Sequence, residues 1–342
     1  MCKQFFSLVV AITVCLVLSV SITHAGAPYY EGKTIRFVVG FTAGGGFDIY
    51  ARVLARHMGK HIPGNPNIIV ENMTGAGSLI SANYVYKIAK PDGLTIGNFN
   101  GGLFLNQVME QPGIEFDARK FEFIGAAVTE ECAYAFTKAS GITSIEKWMT
   151  SKTPVKMGGS APGTAPDNMI RIAKDVLGLP TQVITGYKGT ADIRLAAESG
   201  EIAGSAWSWY SMRVAWRKAL EAGDVVIVMQ GAPKPFPDLL NVPLAINLAK
   251  TEEARQLVEV GIHNVNLFTR ALVLPPGTPK ARVQILVKAF QETLKDKEFL
   301  AETEKGKLDL NPVTGQELEK AVSAMFRLNP SLFAKLKDIL FK

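Results

Sequence analysis

From Ile35 onward, short runs of β-branched and other apolar residues alternate with stretches whose apolar residues recur at helical spacing. No other feature constrains the fold as much. Strands separated by helices rather than by two-residue turns pair in parallel and carry helices on both faces of the sheet. Ile35 to Phe41 reads as a strand, Thr42 to Gly46 as a turn, and Phe47 to His61 as a helix with Ile49, Val53, Leu54 and Met58 on one face. Asn67 to Glu71 is a second strand, Gly75-Ala76-Gly77 opens a second helix ending before Pro91, and Leu94 to Gly97 is a third strand.

The same order then restarts. Val155 to Met157 is a strand, Gly158 to Pro166 a glycine-rich loop, Asp167 to Leu177 a helix, Val183-Ile184 the start of a strand, Ala191 to Glu198 a helix and Val225 to Met229 a strand. Two α/β units suit a chain of 342 residues. The proline-rich stretch Ala232 to Pro237 reads as a crossing between them, and Pro275-Pro276-Gly277-Thr278-Pro279 starts a helix from Lys280 to Leu294. The last two helices, near Gly315 to Leu328 and Ser331 to Leu340, have no sheet of their own and are expected to pack on the first unit. The expected organisation is therefore a leader at 1–25, a first lobe from 26–130 and 248–342, and an inserted second lobe at 131–247. Two connecting segments permit hinge motion.

Each unit contains one turn of unusual composition. Phe41-Thr42-Ala43-Gly44-Gly45-Gly46-Phe47-Asp48 joins a strand to a helix start, where unpaired backbone N–H groups attract anions and glycines let a ligand approach. It is neither a P-loop, since no Gly-Lys-Ser/Thr follows, nor a dinucleotide fingerprint, whose glycine spacing it lacks. Alone, such a turn is more often tight packing than a binding site. The second turn, Gly158-Gly159-Ser160-Ala161-Pro162-Gly163-Thr164, changes the reading. If the units face each other, both turns lie at strand carboxyl ends beside one crevice, where open α/β sheets bind ligands. Neutral donors there can hold a carboxylate without a fixed cation opposite it. The Ser160 and Thr164 hydroxyls either add donors or cap the following helix. Trp207 and Trp209, in Ala206-Trp207-Ser208-Trp209-Tyr210, share a face if the strand continues, and serve either as core or as a pocket wall.

Catalytic patterns are scarce. No G-x-S-x-G occurs, and the nearest frame ends in Pro162. His57 and His61 lie four apart without the glutamate of a zincin, so they complement a helix dipole more simply than they ligate a metal. No metal or cofactor is expected. A secreted hydrolase with Ser160 as nucleophile is the rival reading, but it needs a base, and nothing in the sequence brings His57, His61 or His263 to that serine. Lys3, the apolar run Phe5 to Val20 and the small-residue end at Ala25 form a secretory signal peptide. Of the three cysteines, only Cys132 lies beyond it, which excludes an intramolecular disulfide. A net charge of +6 from 37 basic and 31 acidic residues, without a lysine/arginine block, excludes a nucleic-acid partner.

In ordered succession over nearly the whole chain beyond the leader, the sequence resembles the extracytoplasmic solute receptors of the tripartite tricarboxylate transporter, the Bug family. The residues that carry the resemblance are Ile35 to Val39 running into Phe41, Gly44-Gly45-Gly46 and Asp48, then Val70-Glu71-Asn72, Gly75-Ala76-Gly77, Pro91-Asp92-Gly93, Tyr187-Lys188-Gly189 and Pro275 to Pro279. The resemblance implies a two-lobed periplasmic binding protein of the type II-like, Venus-flytrap kind, each lobe a mainly parallel sheet flanked by helices. It implies no catalysis. The receptor would close on a small organic carboxylate and deliver it to membrane permease subunits; presentation to a membrane sensor kinase uses the same closed form. The site carries over to Phe41, Thr42, Ala43, Gly44 and Gly45 of the first turn and to Ser160 through Thr164 of the second, Ala161 and Gly163 included; Tyr187 and Trp207 are further candidates, and Asp48, awkward beside an anion, is a candidate that caps its helix or acts through water. Here Gly159 replaces a serine, Asp167 stands near a histidine position, and Trp207 stands where relatives often carry an acid. Loss of that acid disfavours an amino cation, while Trp207 and Trp209 favour an aromatic or long-chain body.

Overall fold

The computed structural model describes residues 27–129, 131–327 and 330–341. The expected signal peptide and its two cysteines lie outside the described residues. Eleven strands form two sheets among the described residues. The first has the order β11-β4-β10-β3-β1-β2, from β1 (Thr34–Val39), β2 (Asn67–Asn72), β3 (Thr95–Asn98), β4 (Glu122–Ala126), β10 (Leu272–Leu274) and β11 (Val313–Thr314). The second has the order β7-β6-β8-β5-β9, from β5 (Cys132–Thr137), β6 (Val155–Gly158), β7 (Thr181–Ile184), β8 (Gly204–Ser208) and β9 (Val225–Gly231).

Both sheets are mixed. β1 pairs in parallel with β2 and β3, and β6 pairs in parallel with β7 and β8, as the intervening helices require. Besides β11, which pairs antiparallel with β4, the strands that run against their neighbours are β5 and β10, on which the chain enters one sheet from the other. Their direction has a simple cause. A strand that begins beside the carboxyl ends of the sheet it has just left must run away from the cleft, while most of its neighbours run toward it. β10 has only three residues, too few to show a period in sequence, and β4, β5 and β11 were likewise not anticipated.

The helices around the cleft are α1 (Gly46–Met58), α2 (Leu79–Lys87), α3 (Gly102–Val108), α4 (Ala165–Asp175), α5 (Thr190–Glu198) and α6 (Trp209–Ala215). Behind them come α7 (Glu252–Val258), α8 (Lys280–Thr293), α9 (Lys297–Gly306), α10 (Gly315–Met325) and α11 (Pro330–Leu340). Phe37, Val38 and Val39 in β1 are wholly buried, because helices cover both faces of this central strand.

The two C-terminal helices do not both pack on the first sheet as expected. α10 lies on β4, but α11 packs against α4 and α7. The apolar face of α11, with Phe333, Leu336 and Leu340 buried, meets the side of α4 that carries Ile172. Glycine at 261 permits that approach, since a Cβ there would stand 2.6 Å from Ile172 Cδ1 and 3.1 Å from Leu336 Cδ2. The tail is thus a third connection between the units.

Candidate functional site

A small cavity of ≈ 30 Å³, about the room one water molecule takes, lies between the units. Four helices begin at its wall, among them α6, whose N-cap Ser208 is a lining residue. Gly45 precedes α1 with no side-chain cap, Gly189 precedes α5 in the same state, and Thr164 caps α4 by accepting from Asp167 N at 3.4 Å. Helix starts expose unpaired N–H groups and the positive end of the peptide dipoles, so the cavity favours negative charge. Ser160, Ser208, Ser211, Thr190 and Asn100 add polar side chains, and Phe41, Phe47 and Trp207 add apolar walls. No Asp or Glu is among the described residues lining it.

A cation does stand at the cavity, contrary to the expectation of neutral donors alone. Arg270, 5% exposed, donates from Nη2 to Ser211 Oγ at 2.5 Å. Its Cζ lies 4.5 Å from the Phe47 ring centroid and 5.0 Å from that of Tyr50. Arg270 comes from the loop that enters β10, a strand too short to be foreseen.

Of the residues expected at the site, Phe41, Gly45, Ser160, Thr164 and Trp207 line the cavity. The others lie around it. Ala43 and Gly44 are exposed on the outer side of the first turn. Thr42 sits in the seam between the units, where a Cβ on Gly189 would stand 2.6 Å from its Oγ1. Ala161 packs beside Gly77, and Gly163 gives its carbonyl to Asn100 Nδ2 at 2.5 Å. Tyr187 donates its hydroxyl to Glu201 at 2.5 Å, and burial followed by that carboxylate pushes the phenol up to about 12. Trp209 is not on the cavity wall. β8 ends at Ser208, whose Oγ accepts from Ser211 N, so the chain turns into α6 and strand alternation stops. The Trp209 indole donates to Asp238 Oδ1 at 3.2 Å instead.

Asp48 lies beneath the first turn, 2% exposed, and does not line the cavity. Its carboxylate accepts from Gly44 N, Arg52 Nε and Asn72 Nδ2, each at 2.9 Å. Burial alone would raise its pKa, but these donors together hold it below the ordinary value. The second turn repeats the device: Asp167, wholly buried, pairs with Arg171 Nε at 2.6 Å. Each Asp is the third residue of its helix and each Arg follows four later, so the acid complements the helix start and its neighbour neutralises it. This D-x-x-x-R pattern after both turns was present in the sequence and unread.

A pH dependence follows. The Asp48 carboxyl ionises more readily in the folded protein than in the unfolded chain, so its contribution is present above the unfolded pKa near ~4 and disappears as pH falls through the lower folded value. Thermal melts should show the wild type about 1–2 kcal/mol more stable than Asp48→Asn at pH 7, the scale of hydrogen bonds to a charged group. The gap should narrow steadily toward pH 2. A gap unchanged by acid would contradict an ionised Asp48.

The histidines stand elsewhere. His57 pairs with Glu302 at 2.7 Å and His61 with Asp296 at 3.0 Å. His57, Asp296 and Glu298 cluster within metal-ligand reach, but Lys60 already bonds both carboxylates, at 2.8 and 2.6 Å. His263 lines a separate pocket with Leu105 and Phe268, and burial lowers its pKa. None of the three lines the cavity that contains Ser160. Cys132 is buried in β5, and no helix among the described residues is long and apolar enough to cross a membrane.

Comparison with known proteins agrees with this architecture. A UPF0065 protein encoded in the gbd 5′ region of Cupriavidus necator is 26% identical over 292 residues, 84% of this chain and 82% of its own. Among solved structures, MatC of Rhodopseudomonas palustris with bound malate superposes with a TM-score of 0.70 at 20% identity, over 90% of this chain and 99% of its own. Rpa4515 of R. palustris with adipate gives a TM-score of 0.71 at 20% identity, over 90% and 98%. At such identity these structures support the two-domain fold of periplasmic binding proteins. The sequence profile of the tripartite tricarboxylate transporter family receptor, TctC, matches residues 50–329, from within α1 to just before α11, and the chain therefore belongs to this family of solute-binding receptors, which are not enzymes.

Proposed function

We propose that this chain is a periplasmic receptor that closes its two lobes on a small organic carboxylate and delivers it to the membrane subunits of a tripartite permease. The carrying observation is a cavity between two units where four helices begin and which no acidic side chain among the described residues lines. Closure exchanges the ligand's water for oriented peptide dipoles and hydroxyls. Relatives of the same fold hold malate and adipate, which supports a mono- or dicarboxylate here. Phe41, Phe47 and Trp207 suit a hydrocarbon body beside the charged end, aromatic or long-chain acids included.

In this reading Gly45, Ser160, Thr164, Thr190, Ser211 and Arg270 face the ligand, while Thr42, Gly163 and Asp48 shape the turns and the seam. The lobes divide as 26–130 with 248–342 and 131–247, α11 reaching across to α4. The leader at 1–25 directs export. Calorimetry with succinate, malate, adipate, benzoate, L-aspartate and glucose tests the site. At least one of the four plain acids should bind, and L-aspartate should bind at least about tenfold more weakly than malate, because its ammonium finds no acidic partner. Binding of glucose alone would overturn the proposal.

A further inference from the structure

We infer that the indole N–H of Trp207 donates a hydrogen bond directly to the captured ligand, so that the residue selects an acceptor atom rather than serving only as an apolar wall. The inference rests on the carboxylate reading of the cavity. Trp207 forms part of the cavity wall and is 2% exposed, and its Nε1 is buried with no acceptor among the described residues. A buried donor without an acceptor is costly, and native structures rarely leave one.

The ring is not placed to find another partner. It stacks on Trp216 with centroids 5.0 Å apart and planes 20° from parallel. Trp216 is itself anchored, its Nε1 donating to Glu198 Oε1 at 2.9 Å. On the strand, Trp207 stands opposite the small residue Ala133, whose side chain offers no acceptor. An indole N–H donates and never accepts, so it suits a carboxylate, keto or ether oxygen and rejects an ammonium.

The other three tryptophans supply controls. Trp209 and Trp216 already donate to Asp238 and Glu198, and Trp148, whose Nε1 also lacks an acceptor among the described residues, lies away from the cavity. The test is nitrogen-15 NMR of assigned indole N–H groups in the wild-type protein, titrated with succinate, malate, adipate and benzoate, alongside calorimetry of Trp207→Phe. With any acid that binds, the Trp207 indole proton should move downfield well beyond the other three. Trp207→Phe should bind that acid at least about tenfold more weakly. An acid that binds while leaving the Trp207 resonance unmoved overturns the inference even if the variant fails to fold, as does a folded Trp207→Phe whose affinity is undiminished. Failure of all four acids to bind overturns the carboxylate reading, and this inference with it.

Discussion

Gly102→Ala should weaken ligand binding at least about 100-fold, equivalent to about 2.8 kcal/mol, while leaving the protein folded. Gly102 opens α3 in the first unit, and a Cβ built there would lie 1.9 Å from the carbonyl oxygen of Gly163 in the second turn. Neither partner is a flexible side chain, so the overlap is relieved only by parting the lobes. Parting them sacrifices the seam bonds from Asn100 to Gly163 and from Asn106 to the Pro162 carbonyl at 2.8 Å. The backbone itself does not object. Gly102 has no positive φ, and alanine is favoured over glycine in a helix. Affinity falls in proportion to the population that can still close. Calorimetry and small-angle scattering check this: the variant should melt no lower than the wild type and should stay at its open dimensions when ligand is added. Ligand-induced compaction at wild-type affinity would contradict closure through this seam.

Asp167→Ala should cost about 3 kcal/mol of stability and lower the melting temperature by roughly 6–12 °C. Asp48 and Asp167 occupy equivalent positions after the two turns, but burial separates their effects. Arg171 is 12% exposed beside a wholly buried Asp167, whereas Arg52 is 43% exposed beside Asp48. Water takes over the solvation of Arg52 when its acid is lost, and it reaches Arg171 poorly. Thermal melts of Asp48→Ala and Asp167→Ala at pH 7 should therefore rank with Asp167 clearly more damaging. Equal losses would show that solvent access does not decide these pairs.

Much of the architecture was legible because it is local. The apolar run into Phe41, the glycine turn and the spacing of Val53, Leu54 and Met58 specify β1 and α1, and the structure places them at Thr34–Val39 and Gly46–Met58. The second unit was legible for the same reason. Both turns were identified as candidate anion cradles, and Phe41, Gly45, Ser160, Thr164 and Trp207 come to one cavity. Trp209 takes the core alternative, because alternation puts it on a face with Trp207 only while a strand continues, and Ser208 ends β8 by capping a helix. Asn100, Thr190, Ser211 and Arg270 carried no periodic or compositional signal of a site.

The sequence by itself determined which segments become strands and helices, where two glycine-rich turns interrupt them, and to which receptor family the chain belongs. These follow from side-chain periodicity and backbone permissiveness over a few neighbouring residues. Only the tertiary structure decided which helix starts share a cavity, that Arg270 stands among them, that the Trp207 N–H is buried without an acceptor among the described residues, and that α11 returns to α4. Those outcomes depend on contacts between residues far apart in the chain, set by shape and burial, for which no local pattern exists.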